Sequence, residues 1–359
     1  MMAKRIDYID GMKGLAAVSV FLWHFSLSTG HLYWSYDELL ANSVIKFLID
    51  GGLAVCIFIL LSGFSNSLAI ARKPATIETV KATLVKRYLR MAVPIAPILV
   101  AVFVMRCCGL MTNGEFAQWA SWKQAVHCYN DDTMNFLLPF RLIKAILFSP
   151  LGDSTGVELP IWMLKYILWG SYFILILHII TNKMKDMGKL AVSIFMFSLC
   201  GYMLSAYYYP MIAGYMFYSF YPVIQRSKFK YVVSAISLAL ALICYFFISQ
   251  IPFPLNVAIT AILIFGGVIT NPLLQKILSI EIFKKLGRIS FMLYLVHMPI
   301  ICSLSHFLYI HIPIANMRIL SLIVLLITTV TVIVFAHMAT VWIEEKWSKK
   351  IIDKVLARI

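Results

Sequence analysis

The sequence predicts an all-α, polytopic membrane protein with about ten transmembrane helices and with both termini in the cytoplasm. Two observations on composition favour this class. Hydrophobic residues make up 61% of the 359 positions and charged residues only 13%, against roughly 25% charged in an average soluble domain. Apolar runs long enough to cross the roughly 30 Å hydrocarbon core of a bilayer recur from one end to the other. A soluble fold is therefore excluded.

The predicted spans follow one another along the whole chain. They cover approximately residues 11–31, 43–71, 85–106, 158–181, 188–207, 210–225, 230–249, 255–272, 289–311 and 316–343. The first run lacks a small-residue cleavage site, so we interpret it as a retained helix rather than a signal peptide. The long connection at about 107–157 is predicted to contain a re-entrant or interfacial helix. This connection either covers an acceptor site on the outer face or caps the bundle.

The excess of basic residues orients the protein and does not indicate a nucleic-acid partner. The 31 Lys and Arg residues against 16 Asp and Glu give a formal net charge of +15, but the basic residues cluster in alternate loops. The turns at 208–209 and 250–254, on the predicted outer side, carry no charge. This asymmetry places both termini in the cytoplasm and favours contact with anionic lipid. We predict a membrane domain at 1–345 and a cytoplasmic, amphipathic basic tail at 346–359.

The first span carries two ionisable side chains, Lys13 and His24, eleven residues apart. At about 100° per residue they return to nearly the same helix face, and at about 1.5 Å per residue they are separated by roughly 16 Å. Insertion scales give a cost of about 2.5–3.5 kcal/mol for a Lys, Arg or Asp at the centre of a helix, so ionisable groups at this depth face a protein interior or an aqueous cavity. His24 is therefore a candidate site residue; the alternative is that it only hydrogen-bonds another helix.

Two arginines, Arg87 and Arg90, stand three residues apart at the cytoplasmic start of the third span and share one helix face. Guanidinium groups bind phosphate bidentately, so this pair can hold a polyphosphorylated ligand that arrives from the cytosol. Ordinary anchoring at the membrane surface is the alternative interpretation of the same spacing.

Polar residues also interrupt the second and ninth spans. Ser62 precedes Gly63 in an otherwise aliphatic run, where small residues allow helices to approach closely. Ser290, Tyr294 and His297 occur at i, i+4 and i+7 and form one polar stripe on an apolar helix. The stripe predicts either an interhelical hydrogen-bond network or a contact with substrate.

Taken in order, these motifs resemble the acyltransferase family 3 of integral membrane proteins. The matching residues are Asp10, Gly11, Lys13, Gly14 and His24 in the first helix, Leu61, Ser62, Gly63 and Phe64 at the end of the second, Arg87 and Arg90 in the Arg-x-x-Arg motif, and Ile289, Ser290, Phe291, Tyr294 and His297 in the late Ile-Ser-Tyr-x-x-Tyr-x-x-His signature. The sequence departs from the family where a Trp-x-x-x-x-Glu element begins at Trp162, because Ile167 occupies the position of the Glu.

The resemblance implies an enzyme, an acyltransferase for groups other than aminoacyl groups, in the plasma (inner) membrane. It implies transfer of an acyl group, most often acetyl, from acyl-CoA to a hydroxyl of a surface polysaccharide or glycolipid. The implied partners are acyl-CoA, the carbohydrate or glycolipid acceptor and membrane lipid. No bound cofactor, metal or nucleic acid is expected.

The resemblance also gives the residues their expected roles. His24 is the catalytic residue, as a general base on the acceptor hydroxyl or as an acyl-histidine relay. Arg87, Arg90 and Lys13 are expected to bind acyl-CoA. Support for the site is expected from Asp10, Ser62, Ser290, Tyr294 and His297.

Two other functions fit parts of the same pattern. A transporter of an acyl or glycan precursor would also need polar stripes within the membrane, although the sequence shows no inverted repeat. A non-catalytic scaffold that binds glycan would fit the missing Glu at position 167. Turnover of the thioester distinguishes the enzyme from both.

Overall fold

The computed structural model describes residues 6–29, 44–71, 76–121, 140, 160–247 and 250–358. Within these ranges the chain forms helices and no strand, so the predicted all-α class is confirmed. In chain order the helices are α1 (Asp7–Thr29), α2 (Val44–Ile49), α3 (Gly51–Ile70), α4 (Ile77–Cys107), α5 (Asn113–Trp119), α6 (Leu164–Thr181), α7 (Asp186–Met203), α8 (Tyr208–Ser219), α9 (Tyr221–Arg226), α10 (Lys230–Phe247), α11 (Leu255–Ile269), α12 (Pro272–Leu278), α13 (Glu281–Ile300), α14 (His306–His311), α15 (Met317–Ala339) and α16 (Lys349–Leu356).

Three segments of other helical types connect these elements. A 3-10 turn, Pro160–Met163, leads directly into α6. A π-helical segment, Ile301–Ser305, joins α13 to α14, and a longer one, Thr340–Ser348, joins α15 to α16. The helix therefore continues without a break across the predicted boundary between residues 345 and 346.

Six elements in the described part of the chain are long and apolar enough to cross a membrane. They are Gly51–Ile70, Ile77–Cys107, Leu164–Thr181, Lys230–Phe247, Glu281–His311 and Met317–Leu356. The pair α11 and α12 meets the same test only if it is counted as one span, and it is bent by 100° at its break. The predicted count of ten is not confirmed. The predicted spans at 11–31, 188–207 and 210–225 form α1, α7 and α8, but these do not pass the test.

Length and charge explain why α8 and α1 do not pass this test. α8 has 12 residues, a length of about 18 Å at 1.5 Å per residue, which is shorter than the hydrocarbon core. α1 has 23 residues, but Lys13 and His24 lower its hydropathy.

Most of the predicted connection at 107–157 lies outside the described residues, including nearly all of the stretch predicted as a re-entrant or interfacial helix. Its described part contains α5, which packs on α14. Thr112, the residue before α5, donates its hydroxyl to the Ser303 carbonyl at 2.9 Å and its backbone N–H to the Cys302 carbonyl at 3.0 Å. These bonds hold α5 against the π-helical segment that precedes α14.

The most extensive contact between helices is that of α1 with α13, and glycines make it close. A Cβ added at Gly14 would lie 2.7 Å from the backbone nitrogen of Gly287, and one added at Gly287 would lie 2.0 Å from the Asp10 carbonyl oxygen. Gly63 allows α3 to approach α8 in the same way, with an added Cβ only 2.1 Å from the Met211 carbonyl oxygen. The predicted close helix approach at Gly63 is confirmed.

Candidate active site

Six of the predicted site residues line one cavity of about 170 Å³ between α1, α3, α4, α6, α13 and the π-helical segment after α15. They are Lys13, Ser62, Arg87, Arg90, Ser290 and Tyr294. The cavity is smaller than the roughly 300–1,000 Å³ of a site that encloses a drug-sized ligand. The cavity can hold only one end of a long ligand, and the rest of such a ligand would lie on the protein surface outside it.

Three cations and one carboxylate face this cavity. Arg87 is half-buried, whereas the side chain of Arg90 is 59% exposed and its Nη2 lies 3.9 Å from Oε1 of Glu344. Lys13 donates from Nζ to the Ser65 hydroxyl at 3.2 Å. A pocket with this excess of positive charge favours an anion, and the two guanidinium groups are suited to phosphate.

His24 lies against a second histidine, His297 of α13. Nε2 of His297 is 3.2 Å from Nδ1 of His24, and the ring centroids are 5.0 Å apart. Nδ1 of His24 is also 2.9 Å from the Val20 carbonyl oxygen, and Nδ1 of His297 is 3.2 Å from the Leu293 carbonyl oxygen. Because a carbonyl oxygen only accepts hydrogen bonds, both Nδ1 atoms carry the proton in the neutral pair.

This hydrogen-bond pattern assigns the tautomers of both rings. His24 Nδ1–H is shared between the Val20 carbonyl and the lone pair of His297 Nε2, so Nε2 of His24 is the basic nitrogen. If His24 gains a proton there, its bond to His297 becomes charge-assisted and stronger. The pair therefore has the arrangement of a catalytic base with an orienting partner.

Tyr294 connects the histidine pair to the cavity. Its ring centroid is 5.8 Å from that of His297, and its side chain lines the cavity. The Tyr294 hydroxyl is buried and has no hydrogen-bond partner among the described residues. Since an unpaired buried hydroxyl is unfavourable, we expect it to bond to a ligand or to water in the cavity.

The polar stripe of α13 and Asp10 were also predicted to support the site, and they lie in different surroundings. The polar stripe of α13 faces the protein interior, because Ser290, Tyr294 and His297 are all buried. Asp10 does not line the cavity, and its backbone carbonyl instead lies at the close contact with Gly287. We therefore expect Asp10 to act through helix packing rather than through contact with a ligand.

Sequence reasoning missed Glu344 as a cavity residue. It lies in the π-helical segment Thr340–Ser348, where hydrogen bonds run from i to i+5, so α-helical periodicity does not predict which residues face inward. The neighbouring Glu345 forms a bidentate ion pair with Arg288 of α13, at 2.8 and 2.6 Å. This ion pair ties the segment to α13 beside the cavity.

Ile167 lines the cavity at the position where the resemblance predicts Glu. Ser171, one turn later on α6, accepts a hydrogen bond from Asn66 Nδ2 at 2.7 Å and donates to the Ile167 carbonyl at 2.6 Å. The α6 wall therefore presents an apolar side chain, and the described carboxylate of the cavity comes from Glu344.

The apolar helices and the polar interior site define an integral membrane protein. The family model for an acyltransferase domain, that of acyltransferase family 3, matches residues 6–338. This match covers nearly the whole chain, so the chain belongs to acyltransferase family 3 and is a membrane acyltransferase. The resemblance inferred from the four motifs is confirmed. Comparisons with curated proteins and with solved structures found no match.

Proposed function

We propose that the protein is a membrane-embedded O-acyltransferase that moves an acyl group from acyl-CoA to a hydroxyl of a cell-surface carbohydrate or glycolipid. The observation that supports this most directly is the convergence of Lys13, Arg87 and Arg90 on a cavity next to the His24–His297 pair. Membership of the acyltransferase family supports the reaction class. The carbohydrate acceptor, and acetyl as the acyl group, rest on the family resemblance.

The proposed topology has about ten membrane-crossing helices in the plasma membrane, with both termini in the cytoplasm. The concentration of basic residues in alternate connections supports this orientation. α1, α7, α8 and the bent pair α11 and α12 would supply the four crossings beyond the six elements that pass the length and apolarity test. The cavity would then open to the cytosol, where acyl-CoA is present.

The donor would bind through its phosphates. Arg87 and Arg90 offer planar guanidinium groups, and Lys13 offers an ammonium group from the facing helix. The thioester end would enter the cavity toward Tyr294, whose hydroxyl can donate to the thioester carbonyl oxygen. A hydrogen bond to that oxygen becomes stronger as negative charge develops on it.

His24 would supply the base. Its Nε2 takes the proton of the acceptor hydroxyl as the acceptor oxygen attacks the thioester carbon; the C–S bond breaks, and the proton passes to the CoA sulfur. In the relay form, Nε2 itself attacks the thioester carbon, the C–S bond breaks, and the CoA thiolate leaves and takes a proton from water. The acceptor oxygen then attacks the acyl carbon, the bond to Nε2 breaks with its electron pair returning to Nε2, and the acceptor's proton leaves to water. Both forms need the tautomer in which His24 Nδ1 carries the proton, and both the Val20 carbonyl and His297 Nε2 favour this tautomer.

The proposed function is tested with the purified full chain in lipid nanodiscs and radiolabelled acetyl-CoA. With envelope glycan added, we expect release of CoA and incorporation of label into the glycan. A transporter would move labelled substrate across proteoliposomes without chemical change, and a scaffold would bind without releasing CoA. If several acyl-CoA donors give no CoA release above that of empty nanodiscs, the proposal is wrong.

Arg87→Gln is expected to raise the KM for acyl-CoA about ten- to hundredfold with little change in kcat, because a hydrogen bond to a charged group contributes about 1.5–3 kcal/mol. Arg87→Lys keeps the charge but loses the planar fork, so its KM should lie in between. Arg106→Gln, at the opposite end of α4, is the matched control and should behave as wild type. Initial rates over a range of donor concentrations give both constants. A KM unchanged by Arg87→Gln would remove this residue from the donor site.

His297→Leu is expected to lower kcat by about 100-fold, the order of loss seen when a catalytic group is misplaced by about 1 Å. Leucine cannot accept the His24 Nδ1–H bond, so the His24 ring loses its orienting partner. His297→Gln offers an amide oxygen that can accept this bond and should retain more activity than the leucine variant. Equal kcat values for the two variants would show that acceptance of the His24 bond is not what His297 contributes.

A further inference from the structure

A buried hydroxyl–imidazole pair lies farther along α1 from the cavity. The Ser28 hydroxyl is 2.6 Å from Nε2 of His306, and both side chains are buried. Ser28 follows His24 by four residues, so the two share a face of α1 and are separated by about 6 Å along the helix axis. A hydroxyl within hydrogen-bond distance of an imidazole nitrogen is the arrangement of a nucleophile and its base.

The π-helical segment Ile301–Ser305 helps to bring His306 to α1. An α-helix places residues nine apart on opposite faces, so His306 would point away from the face that His297 presents to His24. The π-helical hydrogen-bonding pattern changes this relation, and π-helical turns occur often at functional sites. The His306 ring is then stacked on Phe116 of α5, with ring centroids 4.1 Å apart and planes 2° from parallel.

Buried polar atoms on His306 and on helix α5, which packs on α14, have no partner among the residues that the structure describes. They are Nδ1 of His306 and both amide atoms of the Asn113 side chain. Asn113 precedes Phe116, the residue stacked on His306, by three residues, and residues three apart are neighbours on a helix surface. Since nearly all buried polar atoms form hydrogen bonds, such a group points to a polar ligand or ligand group at this place.

We propose that Ser28 and His306 form a second acyl-transfer site, in which Ser28 receives the acyl group from His24 and holds it as an ester. This inference rests on the proposed function and on its acyl-histidine form. A second site explains why Ser28 lies one turn beyond His24. It also explains why Nδ1 of His306 and the amide atoms of Asn113 stay unpaired although Ser28 bonds to His306. The Asn113 amide would donate to the carbonyl oxygen of the acyl group.

The transfer balances in two steps. The acyl carbon forms a bond to Ser28 Oγ as its bond to His24 Nε2 breaks; the electron pair of that bond returns to Nε2, and the Ser28 hydroxyl proton goes to His306 Nε2. When the acceptor oxygen attacks the ester carbon, the bond to Ser28 Oγ breaks, His306 returns its proton to Oγ, and the acceptor's proton leaves to water. The CoA thiolate released in the first acylation takes a proton from cytosolic water.

The test uses the purified full chain in nanodiscs with radiolabelled acetyl-CoA and no acceptor, followed by an acid quench and peptide mapping by mass spectrometry. We expect an acetyl ester on Ser28 that resists neutral hydroxylamine. Ser28→Ala should lose this label, and with acceptor present should lower transfer by at least about 100-fold. Ser26→Ala and His311→Gln are the matched controls, and His306→Gln should slow the labelling of Ser28 by about tenfold or more.

Ser28→Cys separates a chemical role from a structural one. A thiol at this position should carry the acyl group as a thioester, so the label should become sensitive to neutral hydroxylamine. If the protein releases CoA and transfers the acyl group to the acceptor while the Ser28 peptide stays unlabelled, the Ser28 site is wrong but the proposed function stands. Absence of both CoA release and label would overturn the proposed function together with it.

Discussion

Replacing His24 with glutamine is expected to lower kcat for acyl transfer by about 10²–10⁴-fold, the usual contribution of a positioned general base. Glutamine preserves much of the side-chain volume and can still hydrogen-bond to His297, but its amide nitrogen is not basic and cannot carry an acyl group. The KM for acyl-CoA should change little, because the cations proposed to bind its phosphates line the cavity and do not belong to the histidine pair.

His337→Gln is the matched control for this experiment. His337 lies exposed on α15, in another membrane-spanning element, so its replacement makes the same chemical change away from the cavity. Initial rates of CoA release, measured for both variants at matched expression, decide the result. Equal kcat values for wild type and His24→Gln would contradict both the base and the relay. If an acid quench of the wild-type enzyme traps an acyl group on the imidazole of the His24 peptide, the acyl-histidine relay is favoured over the general base.

Gly287→Ala is expected to separate α1 from α13 and so to destabilise the fold and abolish activity together. The added Cβ would lie 2.0 Å from the Asp10 carbonyl oxygen, and a backbone atom cannot move aside as a flexible side chain can. Overpacking in a protein core costs about 1–3 kcal/mol and sometimes more. The two histidines sit on these helices, so any shift of the helix pair also changes the 3.2 Å contact between their rings.

Gly188→Ala is the matched control for helix packing. It also lies in a helix, α7, but the nearest atom to its added Cβ is the Met184 Cβ at 3.5 Å, an ordinary contact. Alanine should stabilise that helix by roughly 0.5–1 kcal/mol. Thermal unfolding in one detergent measures both variants. A Tm for Gly287→Ala at or above that of wild type would show that the helices do not meet as closely as the structure places them.

Local patterns in the sequence predicted which polar side chains share one face of a helix. Lys13 lines the cavity and His24 contacts α13, in agreement with a common face of α1. The stripe formed by Ser290, Tyr294 and His297 is buried, as its spacing indicates. These predictions succeed because helical periodicity is a local property that distant parts of the chain do not alter.

Contacts between distant parts of the chain could not be predicted in this way. His24 and His297 are 273 residues apart in sequence, and Ser28 and His306 are 278 apart, so only the folded structure shows that the members of each pair meet. Glu344 was missed because a π-helical segment changes the register of the helix that carries it. The count of ten spans is not confirmed, because only six elements in the described part of the chain pass the length and apolarity test, or seven if the bent pair is counted as one.

The histidine pair and the apolar wall of the cavity belong to different helices. His24 and His297 are held by α1 and α13, whereas Ile167 and its neighbours in the wall belong to α6. Substitutions along α6 can therefore change the shape of the cavity without changing α1 and α13, the helices that align the two rings. The shape of this wall and the alignment of the two rings can therefore be changed by separate substitutions.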